Sequence, residues 1–182
     1  MNPSRLQRWV DELLATSAQQ WLMRMVAVVA AVGAVAAAAM ANERWWPFGV
    51  LLAVSLSIAS AIRPDTHLPL IVIVAIAAHW LATVDDLATP WLPIAGVCLL
   101  AFHAATALAA TVPVGGQLPS TVVGRWLGRT TLGAGVTVGV WGLAVVFERR
   151  DQAGNGPLTG LAFAIVAVAA MTIWSRSVDQ SR

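Results

Sequence analysis

Lysine is absent from this sequence; all 11 basic residues are arginine. Together with the abundance of alanine and valine, this points on compositional grounds to a GC-rich, bacterial genome. Charge of either sign is scarce. Only 11% of the 182 residues are charged, less than half of the ~25% usual in a soluble domain. A water-soluble globule of this length keeps roughly a third of its unfolded-chain surface in contact with water. With 58% of residues hydrophobic, there is too little polar surface to cover it. A bilayer removes the difficulty by being the apolar solvent.

Cysteine occurs once, at Cys98. That excludes an intramolecular disulfide, a cysteine zinc site and a redox pair, and leaves Cys98 as a small packed hydrophobe. The pI near 10.0 does not imply nucleic-acid binding, because net charge is only +2 and the arginines are scattered rather than gathered on one face. Acids are missing from the apolar stretches: all nine lie outside them or at their rims. Catalytic signatures are missing too. There is no G-x-S-x-G elbow and no H-E-x-x-H pair, and the lone thiol is not paired with a base. An enzyme is the least supported class.

What is there is a succession of apolar runs. Residues 1–21 form an amphipathic arm. Asn2 and Pro3 suit a helix start, and Leu6, Trp9, Val10, Leu13 and Leu14 recur at helical spacing opposite Arg5, Arg8, Asp11 and Glu12. Such a segment lies along a membrane interface or packs on a partner protein. Six spans are then expected, at 22–41, 46–62, 69–85, 91–112, 130–147 and 158–174, followed by a tail at 175–182. Ala39-Met40-Ala41 matches an A-x-A cleavage site. The leading segment is nevertheless longer than a signal peptide's and contains acids, so the first span is read as retained. Ala27, Ala31, Ala34, Ala38 and Ala41 line one side of it, and small residues let another helix approach closely. The second span is short, about 25 Å at helical rise, and would stand upright or thin the bilayer. Pro113, Gly115, Gly116 and Pro119 mark a loop, and Ser120 to Arg129 read as an interfacial turn ahead of a fifth span. Gly124/Gly128 and Gly135/Gly139, with Gly142, carry the spacing of close helix packing.

Six spans with both ends in the cytoplasm put Arg5, Arg8, Arg24, Arg63, Arg125, Arg129, Arg176 and Arg182 inside, and only Arg44, Arg149 and Arg150 outside. That is the bias the positive-inside rule requires. Trp21, Trp45, Trp46, Trp91 and Trp174 fall at span ends, as interfacial rings do, whereas Trp80 and Trp141 lie deeper.

The one concentration of ionisable groups in or beside apolar runs is the 69–112 hairpin, two spans returned antiparallel by a short turn. It holds His79, Asp85, Asp86 and His103. Intramembrane ionisable residues are costly and commonly functional. Asp86 and His79 are seven apart and so share a helical face, which would start a proton route toward His103. Nothing acidic continues that route. Haem ligation by the two histidines requires one depth, and counting from the turn separates them by roughly 9 Å. A metal held by His79, Asp85 and Asp86 has equally little support, and no cofactor is expected. The simplest expectation is that both histidines are buried and hydrogen-bond a neighbouring helix or carbonyl, with the aspartates forming a solvated rim. The sequence therefore reads as an all-α polytopic membrane protein of the bacterial plasma membrane. Its role is that of a non-enzymatic scaffold or accessory subunit in contact with lipid and with a partner membrane protein or further copies of itself. The alternative is a small transporter or channel component using the hairpin.

Overall fold

The computed structural model describes residues 16–41, 46–63, 66–86, 88–112, 116 and 118–148. Most of the amphipathic arm, the sixth span at 158–174 and the tail lie outside them. The described residues are all-helical: α1 Ala18–Ala41, α2 Pro47–Ile62, α3 Leu68–Thr83, α4 Trp91–Thr111 and α5 Ser120–Glu148. Three helices are long and apolar enough to cross a membrane, namely α1, α4 and Ser120–Val146 of α5. The helices α2 and α3 are apolar but have 16 residues each, about 24 Å at helical rise. The chain divides into two units, residues 1–134 and 135–182, and the packing below is that of the first.

Alanine decides which helices meet. Ala27, Ala30, Ala31, Ala34, Ala37 and Ala38 of α1 are buried. They allow an approach that larger side chains would hold off. The most extensive helix pairing is α1 with α4, whose buried face carries Ala95, Ala105 and Ala109. The two run antiparallel. Met23 clusters with Leu108 and Ala109, a Cβ on Gly33 would stand 3.0 Å from Cys98 Sγ, and Ala37 and Ala38 cluster with Ala95. Next come α1 with α2 and α2 with α3, nearly equal in extent. Phe102, Val72 and Ile76 fill the space between these alanine faces and are almost wholly buried.

The two helices of the 69–112 hairpin pack little against each other. The pair α3 and α4 makes the weakest of the principal contacts, because each has a better partner elsewhere. Large apolar side chains cover the outer surfaces instead, Leu22, Val29, Leu51, Phe48, Leu70, Val74 and Leu81 among them.

Three boundaries differ from the sequence expectation by more than one residue. The first helix begins at Ala18 rather than 22. The third span ends at Thr83 rather than 85. Val84 is extended, with φ −118° and ψ 115°, and the Thr83 hydroxyl donates to the His79 carbonyl at 2.7 Å. The fifth span does not begin at 130 after a separate turn, since one helix runs from Ser120 to Glu148. Pro119 starts it, its carbonyl accepting from the Val122 and Val123 amides at 2.9 and 3.3 Å. Arg125 and Arg129 have strong helix propensity, so polarity there changes what the helix faces and not whether it forms. Among the described residues, a Cβ added at Gly124 or Gly128 meets nothing within 4 Å. Within the second unit, neither does one added at Gly135, Gly139 or Gly142.

Candidate functional site

Hydroxyls in the first unit mostly bond inside their own helices. Ser57 donates to the Ala53 carbonyl at 2.6 Å, and Thr106 donates to the carbonyls of Phe102 and His103 at 2.9 and 3.0 Å. Satisfying a hydroxyl on the preceding turn lets an apolar helix carry it without a partner helix. Ser60 departs from this pattern, with a buried Oγ that has no hydrogen-bond partner.

The four ionisable groups of the hairpin do not come together. His79 is 5% exposed, whereas His103, next to the buried Phe102, faces outward. This corrects the expectation that both are buried, and it removes any shared ligand position. Asp85 and Asp86 lie beyond the end of α3 and are exposed, so the argument that Asp86 and His79 share a helical face does not hold. The carboxylate of Asp86 accepts from the Ala88 amide at 2.8 Å. This local turn bond is of the kind aspartate makes in its own loop. Among the described residues no three His, Cys, Asp or Glu side chains stand close enough to hold a metal ion.

The surroundings of His79 come from α2. Its ring stacks on Trp46, with centroids 5.4 Å apart and planes 19° from parallel. Trp46 precedes the first residue of α2, Pro47, and is 45% exposed. Gly49, three residues on, makes room for the pair. A Cβ there would fall 2.7 Å from His79 Nδ1 and would also strike the Trp46 ring. The imidazole Nδ1 is buried against this backbone with no hydrogen-bond partner, contrary to the expected bond to a neighbouring helix. Sequence reading missed Trp46 and Gly49 as the companions of His79. The available signal was a Trp-x-x-Gly spacing at a helix start, which puts ring and gap on one face.

A second polar assembly lies at the opposite end of the first unit, where α1 begins and α4 finishes. The Gln20 side-chain amide donates to the Val112 carbonyl at 2.8 Å, and the Gln19 side-chain oxygen accepts from the Leu118 amide at 2.8 Å. The indole N–H of Trp126 donates to the Ala104 carbonyl at 2.8 Å, while Val122 and Trp126 pack on Met23, Leu108 and Ala109. The first bond ties α1 to the end of α4, and the other two pin the beginning of α5 to α1 and α4. The Arg24 guanidinium lies over the Trp21 ring, 5.8 Å from its centroid. Neither assembly has the reacting geometry of an acid, base or nucleophile with an oriented partner. Both combine arginine or histidine with tryptophan at the ends of apolar helices. Comparison with family models, with curated proteins and with solved structures finds no match to this chain.

Proposed function

We propose that this protein is a six-span, non-enzymatic scaffold or accessory subunit of a bacterial plasma-membrane complex, with both termini in the cytoplasm. One observation carries the reading. The first unit packs its alanine faces inward and leaves large apolar side chains such as Leu51, Leu70 and Leu81 outside, a surface suited to lipid and to neighbouring helices. The cytoplasmic orientation draws support from charge. Met23 meets Val122 and Trp126, so Arg24, Arg125 and Arg129 share one end, while Asp85 and Asp86 follow the opposite end of α3. The glycines of α5 add small-residue spacing suited to a partner helix. The deciding experiment is the native mass of the tagged protein extracted in mild detergent. A stoichiometric second protein supports the subunit reading, and a lone monomer refutes it. A homo-oligomer also counts against it.

The alternative, a transporter or channel component, draws on the buried, unpartnered Nδ1 of His79. It requires that replacing Asp85 and Asp86 by Asn abolish flux while the protein still inserts. The subunit reading expects assembly and partner retention to survive the same substitutions.

A further inference from the structure

Among the described residues, the strongest unsatisfied cation is Arg24. Its Nε is buried and has no hydrogen-bond partner, and its guanidinium is stacked over Trp21. The aspartates described, Asp85 and Asp86, stand at the far end of the first unit. A buried guanidinium N–H without an acceptor is costly and calls for an anion.

The neighbourhood supplies more positive charge. Met23 packs against Val122 and Trp126, which brings the start of α5 beside the start of α1. Arg125 and Arg129, four residues apart and both exposed, flank Trp126. The Trp126 N–H is already committed to Ala104, so that ring fixes the helix in place and its arginines remain available. On the same face of α5 as Arg125 and Arg129, one turn further along, stands Leu132, half exposed, and Val28, one turn beyond Arg24 on α1, is partly exposed.

We propose that Arg24, Arg125 and Arg129 hold the phosphate of an anionic phospholipid, whose acyl chains run along Val28 and Leu132. Guanidinium groups match phosphate in geometry as well as charge. Half-exposed tryptophan such as Trp21 sits at headgroup depth, and basic residues at the cytoplasmic leaflet attract anionic lipids. The exposed apolar flank selects a lipid over a free phosphate. This inference rests on the chain being lipid-embedded and is independent of whether it has a protein partner. Resistance of the membrane-bound protein to alkaline carbonate extraction tests that premise separately.

The test uses the full-length protein in non-ionic detergent, mixed with phosphatidylglycerol or phosphatidylcholine of identical chains and weighed with its bound lipid. Phosphatidylglycerol is expected to be retained at least about fivefold better, and R24Q should lower that retention about fivefold, since each basic residue near a headgroup contributes a factor of that order. The R125Q/R129Q double variant changes only exposed side chains and should also weaken retention, which keeps the test decisive if R24Q misfolds. Glycerol phosphate at the same concentration should leave the lipid bound. Equal retention of the two lipids overturns the proposal, as does retention unaltered by R125Q/R129Q. Displacement by glycerol phosphate would assign the site to a free anion and overturn it equally.

Discussion

Replacing Gly49 by alanine is the sharpest perturbation of the packing described for His79. In a free helix the change would stabilise by about 1 kcal/mol, because glycine is the poorer helix former. Here the added methyl carbon falls 2.7 Å from His79 Nδ1, about 0.7 Å short of the 3.4 Å at which ordinary contact begins. It also meets the Trp46 ring. The two rings differ in freedom to move. Trp46 is half-exposed ahead of α2 and can swing outward, whereas His79 is held among buried neighbours. Swinging Trp46 away loses the stack, worth about 0.5–1.5 kcal/mol, and displacing a buried ring costs about 1–3 kcal/mol. Set against the propensity gain, G49A should destabilise by about 0.5–3.5 kcal/mol. Removing the obstructing imidazole should relieve the conflict, so G49A/H79A should be more stable than the sum of its single variants by about 1 kcal/mol. Helicity followed by circular dichroism through a reversible titration from mild detergent into dodecyl sulfate measures all four species. Additive effects, or a G49A protein as stable as the parent, would refute the account of Gly49 as the gap that admits the ring pair.

Three other substitutions probe separate parts of the first unit. W126F removes the indole donor to the Ala104 carbonyl while keeping much of the ring; it should cost about 1 kcal/mol and raise amide hydrogen exchange selectively over residues 120–130. S60A deletes a buried hydroxyl that has no partner, so it should be neutral or stabilise by up to about 1 kcal/mol in the same titration, and clear destabilisation would show that the hydroxyl is satisfied in the membrane. At the α1–α4 seam, G33V pushes a side chain toward Cys98 Sγ and should cost about 1–3 kcal/mol, partly recovered when C98A accompanies it.

The helices were legible because apolar runs must be long and uninterrupted to cross a bilayer, and such runs declare themselves in sequence. The expected 46–62 and 91–112 differ from Pro47–Ile62 and Trp91–Thr111 by one residue at one end. The alanine side of the first span was legible for the same kind of reason. Ala27, Ala31, Ala34 and Ala38 are all but inaccessible, as small residues at a close seam should be. Which helix would take that seam was not legible, since small residues accept many partners and α4 advertises its own alanines no more loudly than its neighbours do. The start of α5 is not legible in hydropathy, because Arg125 and Arg129 lower it across the first turns of the helix. Hydropathy reports the surroundings of a helix, whereas Pro119 and the backbone bonds that follow it determine where it starts. The candidate cluster failed on helical phase and on one helix end. His103 looks outward beside inward-facing Phe102, and an extended Val84 separates the aspartates from the face of His79. Neither fact can be counted off from spacing alone.

The pairing of α1 with α4 also sets an order of events during synthesis. About 50 residues separate the end of one from the start of the other, so at ribosomal rates of about 5–20 residues per second α1 waits roughly 3–10 s before its principal neighbour exists. The α2 and α3 pair, joined by a few residues, closes within that interval. Throughout the wait α1 presents a nearly smooth alanine ridge, a face that surrenders little by touching lipid and binds temporary neighbours weakly. The composition that permits the tightest final contact is therefore also the one that lets the α4-facing side of the first helix stay open, while α2 and α3 pack elsewhere on it, without being trapped.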